Sequence, residues 1–244
     1  MERSPVFKMI VAGPMACFTR PEFKVERVSY EVPTPSALEG FLKCIYWKPA
    51  FRYVIDKIIV FNPIRTMCLK RNELKNKISI SKISKAASGS DVDLHAYTEK
   101  ETERAQRTTT VLKDVRYGIE FHLEMTGFMS FEPNECIKKH MDIFCRRIDL
   151  GRVFREPYFG CSEFQASSWE LVKDFHLADV DESLRGTRFP GTMIYGMLFP
   201  LQRPFEDSHE AWTKQSWRDD ARAIYYTPVM VDGVIDVAER RPVI

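Results

Sequence analysis

The sequence predicts an α+β fold, and three observations predict it. Segments with strand and helix patterns follow one another as strand, helix, strand, strand, helix, strand. The longest strand alternates apolar and polar residues, as a half-buried strand does. The 244 residues, 44% hydrophobic and 29% charged, suffice for a folded core and exclude a disordered chain.

Pro5 to Val11 is a short apolar strand stopped by Gly13-Pro14. Phe18 to Tyr30 alternates charged and apolar residues and reads as an extended loop or edge strand presenting Arg20, Lys24 and Arg27. Thr34 caps a helix, and Pro35 has the φ favoured at the first helical position. Leu38, Phe41, Leu42 and Ile45 share one face, with Tyr46 on the flank of that stripe, and Pro49 ends the helix. Val54 to Phe61 and Ile64 to Arg71 are strands. From Asn72 to about Thr110 the chain is polar and poor in aromatics, which predicts loops that order in part only with a partner.

Val115, Tyr117, Ile119, Phe121, Leu123 and Met125 alternate with polar or small residues, a half-buried strand. Ile137, Met141, Phe144, Cys145 and Ile148 give a helical stripe, and Tyr158 to Phe164 reads as a strand. The order matches the split βαβ, ferredoxin-like pattern that RNA-recognition modules also use. Residues 1–166 are expected to form that ferredoxin-like (RRM-like) domain, with the polar insertion at about 72–110. Residues 167–244, with Thr192–Pro200, Arg222–Val231 and the Asp232-Gly233 turn, are expected to form a smaller, mostly antiparallel β domain.

Several function classes lack support. No phosphate loop, GxGxxG, HExxH or GxSxG is present, and His95, His122, His140, His176 and His209 have no metal-ligand spacing, so no metal or cofactor is expected. The six cysteines form no CxxC pair and read as buried free thiols of a reducing cytoplasm. No run approaches ~18 apolar residues, and the apolar part of the first twenty residues is too broken for a secretory signal, so no membrane association is expected. The charge is asymmetric: residues 1–120 carry 21 Lys+Arg against 14 Asp+Glu, and residues 121–244 carry 15 against 20. Such a first half suits either a polyanion-binding face or a solvated basic surface. Aromatics interleave with these cations from Phe18 to Tyr30 and from Tyr46 to Tyr53, which suits phosphates gripped by Lys/Arg and bases stacked on rings.

The blocks Thr19-Arg20-Pro21-Glu22-Phe23-Lys24-Val25-Glu26-Arg27, Thr34-Pro35-Ser36 and Trp47-Lys48-Pro49-Ala50-Phe51-Arg52 carry a family resemblance, joined by Tyr158–Phe164 and Asp232–Val237. Through them the chain resembles the CRISPR-associated pre-crRNA endoribonucleases of type I-C systems, the "d" (Dvulg) branch of the fifth Cas protein family. The resemblance implies metal-independent cleavage of the CRISPR repeat hairpin. It also implies retention of the crRNA 5′ handle in the surveillance complex (Cascade), beside its backbone and large subunits. A handle-gripping scaffold without cleavage is the alternative.

Such cleavage needs a base for the ribose 2′-hydroxyl, a cation for the developing charge and an acid for the leaving 5′ oxygen. The resemblance implies a tyrosine on the first helix, matched by Tyr46, and a lysine before the long strand, matched by Lys113. Where some relatives carry a histidine next to that lysine, this chain has Asp114. His122, nine residues beyond Lys113 and about 30 Å away if the strand is fully extended, is the substitute candidate. Arg20, Lys24, Arg27, Lys48, Arg52, Lys70, Arg71, Arg107 and Arg116 are the candidate RNA contacts.

Overall fold

The computed structural model describes residues 2–23, 25–126, 135–198 and 222–242. In chain order the strands are β1 Phe7–Ala16, β2 Arg27–Val28, β3 Phe51–Val60, β4 Thr66–Leu74, β5 Arg104–Met125, β6 Ser168–Val172, β7 Thr187–Arg188, β8 Met193–Leu198, β9 Arg222–Tyr226, β10 Met230–Val231 and β11 Val234–Asp236. The helices are α1 Pro35–Ile45, α2 Ile80–Ala87 and α3 Ile137–Asp149.

The cap at Thr34 forms as expected: its hydroxyl accepts from the Ala37 N–H at 3.2 Å, and Pro35 opens α1. The carboxy-terminal half of β5 lies between β1 and β3, antiparallel to both, and β6 pairs with the far edge of β1. The order β6-β1-β5-β3 continues through β11, β10 and β7, so the carboxy-terminal strands join the same sheet at the edge of β3. There Asp232 and Gly233, both with positive φ, make the tight turn that joins β10 to β11. β8 and β9 form a separate two-stranded sheet. The run expected over Thr192–Pro200 is a strand as far as Leu198; its last two residues lie outside the described ones.

α1 and α3 cover one sheet face. Phe144 of α3 sits fully buried against Phe7, Tyr53 and Phe121, with ring centroids 5.7–5.8 Å apart. Alternation then sends Arg116, Glu120, His122 and Glu124 to the opposite face.

Three expectations are corrected. Gly13-Pro14 does not stop the first strand: β1 runs through it to Ala16, because Gly13, Met15 and Ala16 still pair with β5. The 72–110 segment is not all loop: β4 extends to Leu74, α2 follows, and β5 begins at Arg104. Arg104–Leu112 pairs with Thr66–Leu74 residue for residue, as a ribbon projecting from the sheet. Met67, Leu69 and Val111 pack inward at its base, but beyond them the ribbon is almost wholly polar, so the parts within 72–110 lack the apolar alternation by which a strand is recognised. Tyr158–Phe164 is not a strand. A single bridge, Tyr158 to Gln165, closes a tight loop in which Gly160 has φ +78. A Cβ at Gly160 would stand 2.0 Å from the Cys17 carbonyl oxygen, so the loop packs against the end of β1 only because glycine is there. The strand that pairs with β1 is Ser168–Val172, beyond that loop.

All six cysteines are free, but only Cys17 and Cys44 are buried as expected; Cys68 is exposed, because it falls on the outward side of the alternating β4. Among the described residues, no helix is long and apolar enough to cross a membrane, and no group of three metal-ligating side chains occurs.

Candidate functional site

Tyr46 is the residue at which α1 stops. Its N–H donates to the Leu42 carbonyl at 3.2 Å while its own backbone turns extended, with φ −156. Two side chains hold this end in place: Arg147 donates to the Ile45 carbonyl at 3.0 Å, and the Tyr53 hydroxyl donates to the Tyr46 carbonyl at 2.7 Å. Burial pushes the Tyr53 hydroxyl well above the ordinary tyrosine range, so it stays a donor.

The Tyr46 ring stacks on Phe51 at 5.5 Å, and the Arg147 guanidinium lies 5.3 Å from its centroid. Its hydroxyl is 2.9 Å from Nδ1 of His140, which projects from the first turn of α3. His140 Nε2 is in turn 2.7 Å from Oε1 of Glu135, and Lys139 Nζ is 4.0 Å from the other oxygen of that carboxylate. Tyr46 is 5% exposed and His140 0%. Half-exposed Trp47 and exposed Lys48 follow Tyr46 directly at the surface. This set holds a hydroxyl with an imidazole partner, a carboxylate behind the imidazole, and the cations Lys139 and Arg147. Those are the group types that proton transfer beside a phosphodiester requires.

Lys113 is not part of this set. It pairs with Met15 near the ribbon, whereas Phe51, beneath Tyr46, pairs with Met125. Lys113 and Met125 stand twelve positions apart on β5, about 40 Å of strand. Lys113 is half exposed, 3.7 Å from its neighbour Asp114, which has φ +52. His122 does not substitute for a partner there either. It lies on the sheet face opposite Tyr46, with Nδ1 2.6 Å from Asp56 and Nε2 3.2 Å from Glu124.

The expected RNA contacts do not share one surface. Arg20, Arg27, Lys70, Arg71 and Arg107 gather at the ribbon: Arg71 pairs with Arg107 across it, and Arg27 of β2 lies opposite Thr109. Arg20 joins them through its N–H, which donates to the Val28 carbonyl, and its guanidinium stacks over Tyr30. Glu163, from the Gly160 loop, bridges Arg71 and Arg27, at 3.3 Å from the latter. The hydrogen bond to Glu163 holds the Arg71 guanidinium above its ordinary pKa. Beside this cluster the Cys161 thiol is drawn down to about 6, by a hydrogen bond with Cys17 and with Arg27 contributing.

Lys48 and Arg52 are close to Tyr46 in the chain but not on one surface: Lys48 is exposed two residues after Tyr46, whereas Arg52 alternates with Phe51 and Tyr53 and lies on the opposite sheet face. Arg52 donates to Glu124 Oε2 at 3.0 and 2.8 Å. Burial pushes the Glu124 carboxyl up, but the hydrogen bonds from Arg52 and His122 outweigh it and hold the carboxyl below the ordinary glutamate range. Arg116 stands alone, over the Phe61 ring and 3.4 Å from Asp179. Lys24 lies outside the described residues.

Sequence reasoning missed His140, Glu135, Lys139 and Arg147. One signal was readable: His140 falls on the apolar stripe of α3, three residues after Ile137 and four before Phe144. A histidine there faces the core, where it needs polar partners.

A family model described as CRISPR-associated protein (Cas_Cas5), the Cas5d group, matches residues 7–238. A protein of Mannheimia succiniciproducens named CRISPR pre-crRNA endoribonuclease Cas5d is 51% identical over 168 residues, 68% of this chain and 72% of that protein. One of the same name from Thermus thermophilus is 39% identical over 159 residues, 65% of this chain and 61% of that protein. A solved structure described as a CRISPR-associated protein superposes with a TM-score of 0.62 at 23% identity, covering 97% of this chain and 93% of its own.

Proposed function

The chain belongs to the Cas5d family of CRISPR-associated proteins, and we propose that it is a pre-crRNA endoribonuclease. It cuts CRISPR repeat hairpins in the cytoplasm, then keeps the crRNA 5′ handle as a subunit of the type I-C surveillance complex, beside the backbone and large subunits. The names of the two curated relatives support the activity. The antiparallel order β6-β1-β5-β3 supports a ferredoxin-like amino-terminal unit that takes in β6 and so runs past the expected boundary at residue 166 to about Val172, with the later residues as a smaller β appendage.

The observation that carries the mechanism is the contact between the Tyr46 hydroxyl and His140 Nδ1. Tyr46 accepts the proton of the ribose 2′-hydroxyl and passes its own to His140. The freed 2′ oxygen attacks the adjacent phosphorus, and the bond to the 5′ oxygen breaks. The products are a 2′,3′-cyclic phosphate and a 5′-hydroxyl, and no metal takes part. Lys139 is the candidate donor to the leaving oxygen, and Arg147 stabilises the tyrosinate through the ring face it covers. Lys113 and His122 are assigned no step here, because the sheet register and the alternation of β5 hold them away from Tyr46. The ribbon arginines and Lys48 bind phosphates.

The burial of Tyr46 and His140 favours a second reading, in which the pair is structural and the protein grips the handle without cutting. Incubation with repeat hairpin RNA in EDTA separates the two. The enzyme yields a cyclic-phosphate product, and a single 2′-deoxyribose at the cut site abolishes it; the scaffold only shifts intact RNA.

A further inference from the structure

We propose that Cys161 and Cys17 are a peroxide-reactive pair, in which the Cys161 sulfur is oxidised first and Cys17 then closes a disulfide with it. The inference does not depend on the catalytic reading of Tyr46. The two residues stand 144 positions apart in the chain, yet the fold sets both sulfurs around one hydroxyl. Cys17 Sγ is 3.6 Å from Thr19 Oγ1, and Cys161 Sγ is 3.7 Å from the same oxygen. Cys161 Sγ also lies 3.7 Å from the Cys17 carbonyl oxygen, and the two thiols hydrogen-bond to each other. The backbones already meet. The Cys17 N–H donates to the Phe159 carbonyl at 3.1 Å, and Gly160 has no Cβ to hold the loop away. The Phe159 and Phe164 N–H groups donate at 2.9 Å to the Phe164 and Cys161 carbonyls, which stiffens the loop that carries Cys161.

The two thiols differ as an attacking and a resolving cysteine do. Cys17 is wholly buried, whereas Cys161 is partly open to solvent. The hydrogen bond with Cys17 draws the Cys161 thiol down to about 6; Thr19 and the Arg27 guanidinium add to this, and burial and Glu163 oppose it. The same hydrogen bond, with burial, keeps Cys17 protonated. At neutral pH Cys161 is therefore the thiolate, the form that attacks peroxide. Its sulfur takes one oxygen of hydrogen peroxide, the O–O bond breaks, and hydroxide leaves a sulfenic acid behind. The Cys17 sulfur then attacks the Cys161 sulfur, and its proton joins the departing hydroxide as water. The two sulfurs lose two electrons, and the peroxide is reduced to water and hydroxide. The bond ties the Gly160 loop, with Glu163 two residues beyond Cys161, to the end of β1 beside the ribbon arginines. Cys68 is the competing thiol: its Sγ is 3.8 Å from the Thr110 hydroxyl, while Cys17 Sγ is 3.9 Å from the Thr110 carbonyl.

The test treats the reduced full chain with a small excess of hydrogen peroxide at neutral pH. Remaining thiols are capped with iodoacetamide, and the unreduced digest is mapped by mass spectrometry. Peptides joined through Cys17 and Cys161, and separated by dithiothreitol, are expected. In Cys17→Ser the joined pair is lost and Cys161 sulfenic acid is trapped by dimedone. In Cys161→Ser the joined pair is lost and Cys17 stays reduced. A native digest in which Cys161 is unmodified, is carried to sulfinic acid, or is joined to Cys68 or to a second chain overturns the proposal. Dimedone on Cys17 in Cys161→Ser, with none on Cys161 in Cys17→Ser, overturns the order of the two steps. Should either variant fail to fold, the native digest decides the pairing by itself.

Discussion

The Tyr46 hydroxyl and His140 Nδ1 meet at 2.9 Å although 94 residues separate them in the chain. One group closes α1 and the other opens α3, so the contact exists only because both helices lie on the same face of the sheet. In the proposed reaction the two groups move one proton between them. Tyr46→Phe and His140→Ala are therefore each expected to slow single-turnover cleavage about 100-fold or more. The double variant should be little worse than either single one, since a shared step is lost once. Additive losses would separate the two roles.

Lys113→Ala is expected to cleave at close to the native rate. Its side chain is half exposed near the ribbon, twelve positions along β5 from the strand position beneath Tyr46. A loss of tenfold or more at saturating RNA would return it to the reaction.

Glu163 neutralises Arg27 and Arg71 within the ribbon cluster. Glu163→Gln should tighten binding of repeat RNA and steepen its dependence on salt, because two guanidiniums become available to phosphates. Arg71→Ala should weaken binding and lower the salt slope by somewhat less than one unit. Filter binding over a range of potassium chloride reads both effects.

Acid should destabilise the sheet through Glu124. Its carboxyl is held below the ordinary glutamate range in the folded protein, so folding favours its ionised form. The resulting stability is complete above the unfolded-state pKa of about 4.3 and fades as pH falls through the lower folded-state value. Glu124→Gln should be less stable at neutral pH and should lose less stability on acidification. Urea unfolding at several pH values checks the sign.

Gly160→Ala should cost at least about 1 to 3 kcal/mol, since it places a Cβ against the Cys17 carbonyl at a positive φ. The same change should loosen Glu163 from the arginines, because Gly160 shapes the loop that carries it. Thermal unfolding and RNA affinity measured together would show both.

Local chemistry was enough for the parts of the chain that carry their own pattern. The Thr34-Pro35 start of α1, the alternation from Val115 to Met125 and the stripe from Ile137 to Ile148 each repeat at the period of the element they form. Tyr46 could be singled out because it ends such a pattern within a recognisable block. The outer ribbon, almost wholly polar beyond Leu69 and Val111, and the Gly160 loop, with strand-like residues but a left-handed glycine, gave no such guide.

The partners of Tyr46 were decided by tertiary structure alone. His140 stands on the apolar stripe of α3, and the sequence states that it faces inward but not what it meets there. The meeting was set by the pairing of β3 with β5, which puts Phe51 opposite Met125, and by the packing of Phe144 on Phe121, which docks α3 above them. The same register turns His122 to the other face and carries Lys113 down the strand. Periodicity is a property of neighbours along the chain, whereas a proton relay depends on distances across it, and those are fixed only when strands pair and helices dock.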